Sequence, residues 1–148
     1  MGVLRLSHLE LRVTDLELAA AYYTEVLGLV EVARDHDHAY LACWDERDHH
    51  SLALSVRPTA GVEHLSFKVE CADDLDALEA AALRHGCATR RLAAGEEVGQ
   101  GQAVRIQAPS GHDVELVHAR PKTGGLLPRV NPLPEPKPAA KPVRKKKR

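Results

Sequence analysis

Hydrophobic and polar residues alternate from Leu4 to Val13, with Leu9, Leu11 and Val13 on one side and His8, Glu10 and Arg12 on the other. That is the period of a strand with one buried face. Thr14 with Glu17 three residues on is a capping-box start, Leu16, Ala20, Tyr23 and Leu27 recur at helical spacing, and Gly28 is placed to stop the helix. Three short strand patterns follow at 29–33, 39–44 and 51–56, divided by the polar clusters 34–38 and 45–48. After the linker 57–61 the alternation restarts, now with Leu65, Phe67 and Val69 opposite His64, Ser66 and Lys68. A helix is expected over 73–84, with Leu75, Leu78 and Ala82 as its stripe and Gly86 as its stop. Strands at 88–92, 103–108 and 113–117 complete the second unit, with 93–102 a loop and 109–111 a tight turn.

The chain therefore reads as βαβββ written twice, over 3–57 and 62–119, with Gly61–Val69 repeating the stretch around His8. Two copies are too few for an open array, so a closed pair is expected: an α+β domain, residues 1–119, built on one curved, mixed eight-stranded sheet. Helices would cover its outer face. The inner face would carry His8, Glu10, Arg12, His64, Lys68 and Glu115, a polar set that belongs in an open cavity rather than a sealed core.

Charge divides the chain at Arg120. Residues 120–148 carry a net +9 and residues 1–119 a net −10, although the whole sums to −1. With seven prolines, 120–148 is expected to be a disordered tail of polyproline II character. Its basic end is a candidate for contact with nucleic acid, acidic lipid or the acidic domain itself, and a solvated tail is the plainer reading. Cys43, Cys71 and Cys87 are odd in number and show no C-x-x-C spacing, which favours neither a disulfide framework nor a thiolate zinc site and suits the reducing cytoplasm. No apolar run approaches membrane-spanning length, and no signal peptide pattern opens the chain.

His8 and His64 begin neighbouring central strands with the same inward parity, and Glu115 faces inward from the closing strand. Two imidazoles and one carboxylate on one side of an ion form the ligand set of non-haem Fe(II) oxygenases, with neighbouring positions left for substrate and dioxygen. The plainer alternative is a set of solvated cavity side chains. His49 shares parity with Ser51, Ala53 and Ser55 and is expected in the cavity as a hydrogen-bonding or acid/base group, or else at a loop edge with His50. Arg105 is expected on the inner face, steadying an anionic oxygen or paired with Glu10 or another carboxylate. His36, His38 and His85 read as solvated, and His112 and His118 as alternative ligands. No glycine-rich phosphate loop or partnered nucleophile is present, and the few aromatics make no base-stacking platform.

The stretches HLELRVTDLELAAAYYTEVLGLVE, AYLACWDERDHHSLAL, GVEHLSFKV and QAPSGHDVELVHA carry a resemblance. The duplicated βαβββ unit resembles the vicinal oxygen chelate superfamily, the glyoxalase/extradiol dioxygenase fold. Residues 4–119 are similar to catechol 2,3-dioxygenases of the type I extradiol class, most of all to their N-terminal module. The resemblance implies that His8, His64 and Glu115 match the iron ligands of the family's catalytic module and His49 the histidine beside the metal. It implies an Fe(II) cofactor, with Mn(II) or another divalent ion as the alternative, a catechol-type substrate with dioxygen, and association into homo-oligomers. A glyoxalase or thiol transferase of the same superfamily, and a non-catalytic orphan module, are the competing readings. The chain departs from the family pattern in having Arg105 in place of a tyrosine, and Glu96 and Glu97 in a loop where the family has a histidine.

Overall fold

The computed structural model describes residues 2–122. The first unit comprises β1 (Val3–Val13), α1 (Leu16–Ala21), β2 (Val30–Arg34), β3 (His38–Ala42) and β4 (Leu52–Val56). The second comprises β5 (Gly61–Val69), α2 (Asp73–Arg84), β6 (Thr89–Leu92), β7 (Ala103–Gln107) and β8 (Asp113–Val117). All strands join in one sheet of order β2-β3-β4-β1-β5-β8-β7-β6. Each unit closes with a parallel pair, β1 on β4 and β5 on β8, and the units meet through the long antiparallel pair β1 and β5. The expected α+β architecture of two paired βαβββ modules is what the chain forms.

The apolar face of the alternation packs under the helices, mostly half-buried in β1 and β5, whereas His8, His64 and Glu115 of the polar face, expected in an open cavity, are almost fully buried. Under α1, Leu16 and Ala20 pack on Ala39, Leu41, Leu52 and Leu54, with Leu9, Leu11 and Val13 alongside. Under α2, Leu75 packs on Val69, Val104 and Leu116, with Phe67, Leu78 and Ile106 alongside. Each fully buried aliphatic side chain is worth roughly 1.5–3 kcal/mol over its exposed state, so two such clusters suffice to hold both helices on one face.

Local details depart from the pattern in instructive ways. The cap of α1 is Asp15 rather than Thr14: its carboxylate accepts from the Leu18 amide at 2.9 Å. Beyond Ala21 the helix widens, with Leu27 N–H donating to Tyr22 O five residues back, while the Thr24 hydroxyl donates to Ala20 O at 2.9 Å. Gly28, at φ +75°, then ends it as expected. The domain limit expected after Ala119 falls short of the packed chain. Arg120 is 5% exposed, donating to His50 O at 2.7 Å, and Lys122 pairs with Asp48. The remainder of the expected tail, 123–148, lies outside the described residues. Among the described residues all three cysteines are free and no helix is long and apolar enough to cross a membrane.

Candidate metal centre

The centre forms where the two units join. In the β1/β5 pairing Glu10 lies opposite His64 and His8 opposite Ser66, with register shifts at Leu6/His8 and Glu10/Leu11. Such shifts insert an extra residue and re-aim side chains locally; here they bracket His8 and His64. Further along the sheet Ser66 pairs with Glu115, and Glu115 with Arg105. The row Ser66–Glu115–Arg105 in the second unit answers Glu10–Ala53–Tyr40 in the first. Glu115 and Arg105 therefore stand where the first unit has Ala53 and Tyr40.

His8 Nε2 and His64 Nε2 are 3.0 Å apart, and Glu115 lies 3.8 Å from each ring nitrogen through its two oxygens. His8, His64, Glu97 and Glu115 each bring one ligand atom to within 4.8 Å of all the others. Two nitrogens bound at right angles about 2.1 Å from one ion would be separated by roughly 3 Å, so the imidazole spacing fits a divalent cation. Both rings suit that role electronically. Burial first, then the charges of Arg120 and Arg105 and the neighbouring rings of His50 and His64, hold His8 far below its ordinary value. Burial also lowers His64, with Arg105 adding to it and Glu115 and Glu10 opposing. Neutral imidazoles present lone pairs. His8 Nδ1 and His64 Nδ1 are buried without hydrogen bonds, although Glu10 lies 3.4 Å from the latter.

The carboxylates are held by further contacts. Ser66 donates to Glu115 Oε1 at 2.9 Å, and Gln100 Nε2 reaches Glu115 at 3.4 Å and Glu97 at 3.1 Å. Burial and the Glu115 charge push the Glu97 carboxyl up to about 7, against the pull of Arg105. Arg105 Nη2 donates to Glu115 at 2.5 Å and to Glu97 at 2.7 Å, so the expected pairing with Glu10 or another carboxylate is made with these two rather than with Glu10. Burial alone would lower this guanidinium; Glu97 and Glu115 outweigh it and raise it.

A cavity of about 300 Å³ opens beside the centre, lined among others by His8, Glu10, Tyr40, His50, Glu97 and Arg105. Here the strand-parity expectation needs correcting: His50, not His49, faces the cavity. Its ring meets His8 edge-on, with centroids 5.0 Å apart, and it is 2% exposed. The reason is that β4 begins only at Leu52, so alternation does not extend back through the bend at 49–51. His49 instead packs against Gly99 and hydrogen-bonds His50, Nδ1 to Nδ1, at 2.9 Å. Burial, then the Arg120 charge, lowers His50 to about 2 and also lowers His49. Burial, followed by Asp35, Glu10 and Glu97, pushes the Tyr40 hydroxyl up to about 12, so it remains a proton donor at neutral pH.

Other expectations sort plainly. Lys68 turns to Asp48 rather than to the centre. His38, read as solvated, lines the cavity and pairs with Asp35 at 2.9 Å. His112 is exposed beside Ser110, and neither it nor His118 joins the cluster. Sequence reasoning missed Glu97, His50 and Tyr40. For Glu97 a signal existed, since its loop stands where the resembled family has a histidine.

A family profile described as the catechol 2,3-dioxygenase-like N-terminal domain matches residues 62–120. Metapyrocatechase from Pseudomonas sp. strain CF600 is 41% identical over 133 residues, 88% of this chain and 43% of that protein. A manganese-dependent 2,3-dihydroxybiphenyl 1,2-dioxygenase from Geobacillus genomosp. 3 is 28% identical over 78% of this chain and 37% of its own length. The solved structure of an extradiol ring-cleaving dioxygenase from B. fuscum superposes with a TM-score of 0.79 at 34% identity, covering 82% of this chain and 34% of that one. The chain thus spans less than half the length of these relatives. Sheet order, residue pattern and these likenesses agree: the chain has the extradiol dioxygenase fold and is similar to the catechol 2,3-dioxygenase-like N-terminal module.

Proposed function

We propose that this chain is an extradiol ring-cleaving dioxygenase for catechol-type substrates, with a divalent ion, Fe(II) or Mn(II), held by His8, His64 and Glu115. One observation carries the proposal: two neutral, buried imidazoles and a buried carboxylate converge beside a cavity at the join of the two units. The names of the relatives support the reaction class, and that of the Geobacillus protein supports manganese as well as iron. When bound, the ion would supply a site at which a diol and dioxygen meet.

The remaining steps belong to the chain. His50 presents a neutral ring to the cavity beside His8, suited to hydrogen-bonding a guest oxygen. His49, through its Nδ1–Nδ1 bond to His50, couples the proton position on that ring to its own. The Tyr40 hydroxyl can donate into the same cavity, its ring centroid 5.0 Å from that of His50, and Arg105 can steady an anionic oxygen. The cytoplasmic setting and homo-oligomeric state belong to the same proposal, and light scattering on the purified chain reads the latter.

The test is anaerobic reconstitution with Fe(II), then aerobic exposure to catechol, following the ring-opened product by absorbance. The expected outcome is one ion per chain and product formation. His64→Ala should lower metal affinity by more than the roughly 10–100-fold that even outer partners of a metal site cost, and should abolish turnover. A non-catalytic module is the second reading, favoured by the Arg105 guanidinium among the would-be ligands. Metal binding without turnover would select it.

A further inference from the structure

The cluster at the join already contains a cation, and a residue of the chain supplies it. A single nitrogen of Arg105, Nη2, lies 2.5 Å from Glu115 Oε2, 2.7 Å from Glu97 Oε1 and 3.5 Å from His64 Nε2. Permanent arginine–carboxylate pairs usually use the guanidinium fork, two parallel bonds to one carboxylate. Here one nitrogen makes all three contacts, while Arg105 Nε is buried with no partner. The side chain presents a point charge to the donors, as an ion would.

Its position also controls access. His64 and Glu115 are fully buried and do not line the cavity, whereas Arg105 does and is 15% exposed at its side chain. An ion arriving through the cavity meets Arg105 before it meets Glu115 or His64. The same oxygens and nitrogen cannot hold both cations. The cavity wall offers Glu10, Asp35, Glu63 and Glu96 as alternative partners for a displaced guanidinium.

We propose that Arg105 is an exchangeable internal cation: it latches the metal-free centre by occupying Glu97, Glu115 and the face of His64, and turns into the acidic cavity when a divalent ion binds. The inference rests on the metal reading above and adds a competitor to it. Apparent affinity is then reduced by the fraction of molecules in the latched state, so a site latched nine times in ten binds about tenfold more weakly than an unlatched one.

The experiment is equilibrium dialysis of the full chain against Mn(II), comparing the unaltered protein with Arg105→Gln, with His64→Ala as the site control. Arg105→Gln is expected to bind Mn(II) about tenfold or more tightly, and its metal-free form to melt at a lower temperature that Mn(II) restores. Equal affinities in the unaltered chain and Arg105→Gln, both lost in His64→Ala, would overturn the latch and leave the metal site standing. Absence of binding in both would overturn the metal reading and the latch with it. Should Arg105→Gln fail to fold, the unaltered chain still decides the matter through NMR of the Arg105 Nε–Hε group. Its resonance should move when Zn(II) binds, and a fixed resonance in the metal-bound protein refutes the exchange.

Discussion

Asp48 is fully buried and accepts from three cations: Arg5 at 2.8 Å, Lys68 at 3.3 Å and Lys122 at 2.7 Å. Burial acts to raise its carboxyl, but the Lys122 bond and the Lys68 charge overcome that and bring it down to about 2. Because the folded value is depressed, the stabilisation is fully present above the unfolded value near 4 and is lost as pH falls through about 2. Asp48→Asn should cost about 1.5–3 kcal/mol at neutral pH, the range for hydrogen bonds to charged groups. Urea unfolding from pH 6 to pH 2 should also show a shallower acid decline in the variant. The same residue explains a limit of the sequence reading. The inward facing of His8, His64 and Glu115 was legible because all three lie within strands, and alternation survives between the register shifts that bracket His8 and His64. Asp48, His49 and His50 precede β4 in a bend stitched by long-range bonds from Arg5, Lys122 and Arg120, and no local period announces such bonds.

Regular elements were the most legible part of the chain. Both helices, all eight strands and the duplication follow from alternation and stops, because each strand buries one face and each helix covers it. Where the outcome shifted, short-range chemistry decided. Asp15 outcompeted Thr14 as cap, and the Thr24 hydroxyl bonds accompany a widened last turn of α1. The 93–102 loop was read as a loop, but its function was hidden: Gly99 adopts φ +73° and leaves no room for a side chain against the His49 ring. Gly99→Ala combines a strained backbone with that collision and should destabilise by roughly 1–3 kcal/mol. Urea melts measure the loss, and the His49 ring signals in NMR should shift, since the loop and the histidine cannot both keep their places.

At the scale of the whole molecule the units share a strand pair and a polar centre, so neither closes without the other. His8 and Glu10 come from one unit, and His64, Glu97, Arg105 and Glu115 from the other. Heating should therefore give one transition, with calorimetric and van't Hoff enthalpies in agreement. Leu54→Ala, in the core of the first unit only, should cost about 2–5 kcal/mol and move that single transition down rather than split it; two resolved steps in calorimetry would contradict this coupling. The paired rows of the sheet carry one more consequence. The backbone frame is nearly the same on either side of the β1/β5 seam, yet Glu115 and Arg105 face Ala53 and Tyr40 across it. A flat guest lying in the cavity would find charged side chains from both units, Glu10, Asp35 and Arg57 from the first and Glu97 and Arg105 from the second, but a phenol, that of Tyr40, only from the first. Two exchanges of side chain thus give a symmetric frame a left and a right, which the two ends of an unsymmetrical ring would meet differently.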